Sequence, residues 1–307
     1  MKIIITGSLG HISRPLTKQL VKQGHTVTVI SSNAARQEEI AGLGAVPATG
    51  SVQNIDFLAA TFSGADAVYC MVPADFSQPD QVGYYEKTGS CYVEAIRRSG
   101  VKRVVHLSSY GAHLTSGTGF IGGSYRVEQL PNALPGIQLT HVRPCFFYYN
   151  LLSFIPMIRA AGFMGNVYGG DDIIPMVAPQ DIAAAVAEEM VSTKEVRPVR
   201  YVVSDERTCR EAASVLGQAI GMPDLQWKLL PAEQVEQSLV NNGVPPNAAF
   251  NLVELGLATH NGLLRSDFDL QQVASDGEAG SVCKGICSRL FFFLTGTDHG
   301  QFEHRAC

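Results

Sequence analysis

The chain has 307 residues, of which 46% are hydrophobic and 17% charged, with a formal net charge of -5. That length holds one large core, or one core with a smaller lobe, and no lysine- or arginine-rich block offers a nucleic-acid surface. The apolar stretch from Leu290 to Leu294 is far too short to span a bilayer. The chain opens on a strand rather than on a basic region followed by a long apolar run, so no signal peptide is expected and a cytoplasmic location is.

The elements read as follows. Ile3, Ile4 and Ile5 form a short apolar run of the kind found in a buried parallel strand. Thr6, Gly7, Ser8, Leu9, Gly10, His11 and Ile12 then turn the chain into a helix that continues through Leu16 to Gln23 and stops at Gly24. A strand, a glycine turn and a helix N-terminus together form an anion site, because unpaired N–H groups and the positive helix end meet there. The spacing is G-x-x-G-x-x-S, from Gly7 through Gly10 to Ser13, instead of the usual G-x-G-x-x-G. Gly7 would permit the tight turn, Gly10 would admit a diphosphate, and Ser13 stands where close helix–strand packing favours glycine.

Further strands are expected at Thr26–Ile30, Ala45–Val46, Ala67–Val72, Arg103–Ser108 and Leu139–Val142. Helices are expected at Ala34–Leu43, Ile55–Phe62, Gln81–Ser99 and Ser124–Leu130. This alternation predicts an α/β fold, a Rossmann-type doubly wound parallel sheet with right-handed crossovers. The Gly-, Ser- and Thr-rich stretch from Leu114 to Gly123 reads as a mobile loop over the site. Beyond it, Asn150–Ala161, Asp181–Val191 (with Asp181 as N-cap), Glu211–Ile220, Ala232–Asn241 and Ala248–Ala258 read as helices, Gly162–Gly170 as a loop, and Arg200–Val203 as a strand. The expected organisation is a nucleotide-binding domain over 1–150, to which 175–203 returns. Residues 151–174 and 204–270 would form a smaller, mostly helical lobe, and 271–307 a divergent tail. Cys70, Cys91, Cys145 and Cys209 read as small core residues. Cys283 and Cys287, with His299 and His304 downstream, lack the usual C-x-x-C spacing, and no metal site is expected.

Cofactor selection is read at the end of the second strand. NAD-selective folds place a carboxylate there for the ribose 2′-hydroxyl. This chain has Ser31, Ser32 and Asn33, with Arg36 one turn on, so nothing repels a 2′-phosphate and Arg36 could pair with it. NADP is favoured over NAD, with Glu38 and Glu39 as the counter-indication. Met71, Val72 and Pro73 are expected to pack beside the nucleotide.

Four segments in order resemble the NmrA-like branch of the short-chain dehydrogenase/reductase superfamily: ITGSLGHISRPL (5–16), GVKRVVHLSS (100–109), THVRPCFFYYNLL (140–152) and VAPQDIAAAVAEEM (177–190). The resemblance covers most of residues 1–270. It implies a Rossmann fold, a nicotinamide dinucleotide and a small C-terminal lobe. It also implies either a quinone- or dye-reducing activity or a cofactor-sensing regulatory role. The superfamily's Tyr-x-x-x-Lys pair is not matched, since Tyr125 is followed four residues on by Gln129. The candidate catalytic groups are Ser108 (also a candidate cofactor contact), Ser109, Tyr125 and His113; the superfamily's serine at the end of the fifth strand polarises a substrate carbonyl. Tyr110, Tyr148 and Asn150 are candidate substrate contacts, aromatics there being suited to a flat ligand. The leading expectation is an NADPH-dependent reductase of a quinone-like or other flat acceptor, acting as monomer or homodimer. The alternatives are a non-catalytic NADP(H) sensor with a protein partner and, third, a sugar-nucleotide epimerase-like enzyme.

Overall fold

A computed structural model describes residues 1–130, 134–194 and 196–270. In chain order the elements are β1 (Lys2–Ile5), α1 (Ser13–Lys22), β2 (Thr26–Ser31), a 3-10 turn (Ala34–Arg36), α2 (Gln37–Gly42), β3 (Val46–Thr49), α3 (Ile55–Phe62), β4 (Ala67–Met71), α4 (Gln81–Ser99), β5 (Arg103–Leu107), α5 (Ile121–Gln129) and β6 (Gln138–Pro144). Then follow β7 (Phe146–Phe147), a 3-10 stretch (Tyr148–Phe154), α6 (Ile155–Ala161), β8 (Met164–Asn166), β9 (Ile173–Val177), α7 (Pro179–Val191), β10 (Val199–Val202), β11 (Asp205–Thr208), α8 (Cys209–Ala219), β12 (Trp227–Leu229), α9 (Ala232–Asn241), α10 (Pro246–His260) and α11 (Arg265–Leu270).

The chain divides into two compact units. The first comprises Met1–Thr115, Phe120–Pro144 and Pro179–Val202. Its seven-stranded sheet has the order β3-β2-β1-β4-β5-β6-β10, with every neighbouring pair parallel. The strand order reverses between β1 and β4, and in such sheets ligands bind beyond the carboxyl ends of the strands at that point. Ile3, Ile4 and Ile5 are fully buried, as a central parallel strand requires. α1 buries Ser13, Leu16, Thr17 and Leu20, an i, i+3, i+4, i+7 stripe. α4 opens on Asp80, whose side chain accepts from Gly83 N, and closes on Gly100 at φ 71°, the left-handed conformation that glycine adopts without strain. α7 begins two residues before the expected start, which puts Asp181 in its first turn, where its charge favours the positive helix end, and not at the N-cap.

The second unit comprises, among the described residues, Ser116–Gly119, Cys145–Ala178 and 203–270. Beside its helices it contains a three-stranded sheet, β11-β9-β7, and a β12-β8 pair. Trp227, Phe154, Tyr168, Met164 and Leu216 are among the residues of its core. The expected 162–170 loop thus contains a strand, Met164–Asn166. The Gly/Ser/Thr-rich stretch is not one continuous loop either. Gly119 N donates to Glu254 at 2.7 Å, and a Cβ at Gly119 would fall 2.0 Å from the Asn251 carbonyl oxygen, so only glycine lets this segment lie against α10. No described helix is long and apolar enough to cross a membrane.

Candidate functional site

The turn after β1 has the form that the glycines predict. Gly7 sits at φ +85°, and a Cβ there would lie 2.7 Å from Ser13 Oγ and 3.1 Å from Met71 Sδ. Ser13 does more than tolerate close packing, because its hydroxyl donates to the Thr6 carbonyl at 2.9 Å and ties the first helical turn back to the strand end. Thr6 is fully buried and its Oγ1 accepts from Met71 N at 3.0 Å, joining the β1 and β4 ends. Gly10 N donates to Gly7 O and closes the turn. Ser8 adopts φ 54°, uncommon for a residue with a side chain. Its hydroxyl donates to Ser31 Oγ at 2.9 Å, so the turn and the β2 end hold one another. Leu9 and Ile12 are buried beneath the turn, whereas Gly10 and His11 are exposed. α1 begins with no side-chain cap and no acidic residue in its first turn, which leaves its positive end for an anion.

A cleft of about 880 Å³ opens beside this turn, lined among others by Gly7, Ser8, Ser31, Ser32, Met71 and Pro73. A Cβ at Gly7 would crowd the turn, and the volume suits an extended ligand, so the residues present fit a dinucleotide. Asn33 accepts from Ala35 N and caps the 3-10 turn that carries Arg36. Arg36 is half-buried. Glu39 is occupied by an ion pair with Arg14 of α1 and does not stand free at the β2 end. The cleft also takes in Gly50–Gln53 after β3 and Tyr84 and Lys87 on α4, which the sequence reading missed. The signal available for them was the position of 50–53 directly beyond a sheet strand's carboxyl end.

Ser108 follows β5 directly. Met71 and Leu107 are in register, so Ser108 lies level with Val72. Ser108 is 8% exposed, and its hydroxyl donates to Glu128 Oε1 at 2.5 Å. Glu128, on α5, receives Arg143 Nε on Oε1 at 2.9 Å and Arg143 Nη2 on Oε2 at 2.6 Å, while Arg143 Nη1 donates to the Tyr201 hydroxyl at 3.0 Å. Burial alone would pull the Arg143 guanidinium down; its hydrogen bonds and attraction to Glu128 outweigh that and hold it above its usual range. Beside this cluster the buried rings of His106 and His141 meet through their Nδ1 atoms at 3.0 Å, on directly paired positions of β5 and β6.

Ser109 is half-buried, and Tyr110 is buried with its ring edge-on to Tyr201 at 6.4 Å. His113 is half-buried in the loop that follows. Tyr125 is half-buried on α5, three residues before Glu128, and Gln129 faces solvent. In the second unit Tyr148 belongs to the buried core, while Asn150 is exposed and its carbonyl accepts from Ser153 Oγ. Sequence reasoning overlooked Glu128 and Arg143 as a pair; Glu128 stands in the polar stretch SYRVEQ, and nothing local marks it as buried. Among the described residues no three His, Cys, Asp or Glu side chains converge as a metal site. Cys283, Cys287 and the 271–307 tail lie outside the described residues.

Residues 7–128 match the NAD(P)H-binding family model. The chain is 28% identical over 247 residues to a (4-alkanoyl-5-oxo-2,5-dihydrofuran-3-yl)methyl phosphate reductase from Streptomyces griseus, covering 80% of this chain and 83% of that protein. It is 25% identical over 254 residues to an NAD(P)H azoreductase from Xenophilus azovorans, covering 82% and 85%. Its fold is similar to that of an NADPH-dependent quinone oxidoreductase from Escherichia coli complexed with NADPH, at a TM-score of 0.80 and 20% identity, covering 94% and 99%.

Proposed function

We propose that this chain is an NAD(P)-binding protein of the NmrA-like type and an NADPH-dependent reductase of small, flat, conjugated acceptors. The observation that carries the reading is the Gly7 turn with its uncapped helix end, opening on a cleft whose β2 edge presents Ser31 and Ser32 in place of a carboxylate. That edge, with Arg36 beyond it, supports NADP over NAD. A nicotinamide bound there supplies a hydride. The chain's own contribution is to hold the diphosphate on the 7–12 turn and to receive the 2′-phosphate near Arg36. The end of β5 would then bound the acceptor's position.

The acceptor class follows from chemistry. The relatives described above are named for an alkanoyl dihydrofuranone, an azo group and a quinone. In each, the incoming hydride leaves a charge delocalised over a conjugated system. Such adducts need less help from a protein acid than a simple ketone does. That matches a chain in which Gln129 occupies the fourth position after Tyr125. Ser109, His113 and Tyr125 remain the proposed groups for proton traffic at the acceptor, with Tyr110 as its proposed contact. The same Gln129 favours a second reading, a non-catalytic NADP(H) sensor. The test is NADPH oxidation with a panel of quinones, azo dyes and acyl-butenolides. The reductase reading expects turnover above the uncatalysed rate with at least one class. Nucleotide binding without turnover across the panel would give the sensor reading precedence.

A further inference from the structure

We infer that Ser108 meets the acceptor-side ligand as a hydrogen-bond acceptor, not as a donor, and therefore grips the reduced, hydroxyl-bearing product rather than polarising the oxidised carbonyl. The inference rests on the reductase reading and deepens it. It begins with the hydrogen-bond inventory of the cluster. A serine hydroxyl has one proton and two lone pairs, and a carboxylate can only accept. Both Glu128 oxygens receive N–H groups from the Arg143 guanidinium, in a pair whose side chains are only 5% and 7% exposed. Both oxygens of Glu128 are thus engaged as acceptors. The contact between Ser108 Oγ and Glu128 Oε1 is then donation by the serine. The proton is committed to a buried, charge-assisted hydrogen bond, which is stronger than a neutral one and is not readily exchanged for a ligand carbonyl.

The remaining lone pairs of Ser108 lie at the carboxyl edge of β5, in the row of strand ends that includes Met71 and the Gly7 turn. A ligand group that meets them must bring its own proton. A quinone oxygen has none, whereas the hydroxyl of the hydroquinone does. Glu128 is thus a positioning residue, fixing the rotor of Ser108 through a side chain held by Arg143, which itself donates to Tyr201. The arrangement also removes Ser108 from the candidate acids. In the reductive direction the proton would come from elsewhere in the loop or from water.

Equilibrium binding separates the two roles without turnover. Affinities of the NADP+-loaded protein for a benzoquinone and for the matching hydroquinone would be compared in the native chain, in Ser108→Ala and in Ser108→Thr. For the loss of one hydrogen bond, Ser108→Ala should weaken the hydroquinone about five- to tenfold while changing the quinone less than about twofold, and Ser108→Thr should restore the hydroquinone. Thermal melts of each variant establish that it is folded. A selective loss of quinone affinity would show Ser108 to be a donor and overturn the inference, as would unchanged affinity for both ligands or binding of neither. The acceptor-panel assay is a separate readout. Turnover by the native chain together with unchanged hydroquinone binding in Ser108→Ala would sink this inference and leave the reductase reading standing. Absence of turnover with a selective hydroquinone loss would do the reverse.

Discussion

Gly7 lines the cleft, and Arg36 follows in the 3-10 turn after Ser31 and Ser32 on its β2 edge. Gly7 combines a positive φ with a missing side chain, and both are needed, since a Cβ would be strained by the backbone and would meet Ser13 Oγ and Met71. Gly7→Ala is expected to cost about 1 kcal/mol or more in stability from the backbone alone, and to weaken nucleotide binding more than tenfold by reshaping the turn. Calorimetric titration alongside a urea melt reads both effects. Arg36, half-buried in the capped 3-10 turn, is the cation proposed above for a 2′-phosphate. Arg36→Ala should weaken NADPH by about tenfold or more and leave NADH within about twofold, as loss of one charge-assisted contact predicts. Equal loss for both nucleotides would show that Arg36 does not read the 2′ position.

Among the elements, β5 and β6 carry a further consequence. Burial first, and then the facing His141, hold His106 well below its ordinary pKa. His141 is also lowered, chiefly by burial; nearby Glu128 works against the shift and Arg143 with it. His141 Nε2 has no hydrogen-bond partner among the described residues. Both rings are therefore neutral in the folded chain and readily protonated once unfolded. Below the unfolded value of about 6.5 the unfolded state binds more protons, so this contribution is present above that pH and is lost as the pH falls. The unfolding free energy from urea melts should drop between about pH 7 and pH 5.5, by up to about 1.4 kcal/mol per pH unit for each ring that stays neutral, and His106→Phe should flatten the slope.

The same scale shows what the sequence makes legible. Gln81–Ser99 and Ala232–Asn241 are located to the residue, because Asp80 and Gly100 bracket the first, and Ala232, Val235 and Leu239 recur at spacings of three and four in the second. β7, β8 and β12 are two or three residues long and exist only through remote partners, so no local period announces them. The Gly7 turn is readable because its requirement is local. The Glu128–Arg143 pair is not, because its burial depends on α5 packing against a strand that begins nine residues after the helix ends.

At the scale of the whole molecule, both units are assembled from separated stretches of chain. Three segments build the unit with the seven-stranded sheet, and the chain leaves it after Thr115 and after Pro144 before returning. The Gly7 turn therefore stands on a core closed by α7 and β10, from late in the chain. Arg103 of β5 donates to the Glu189 carbonyl of α7 at 2.7 Å and pairs with its carboxylate at 2.9 Å inside that core. A ligand held by the turn should stabilise this whole unit, by about 2.7 kcal/mol at a hundredfold excess over Kd, seen as a concentration-dependent rise in Tm.

The central claim is that the backbone between Gly7 and Ile12, at the open end of α1, holds the diphosphate of a nicotinamide dinucleotide. Isothermal titration of the full chain with NADPH, with Gly7→Ala in parallel, tests it most directly. The account predicts saturable one-to-one binding that is stronger for NADPH than for NADH and largely lost in Gly7→Ala. Absence of saturable heat with either nucleotide at millimolar concentration, or binding that Gly7→Ala leaves unchanged, would contradict it.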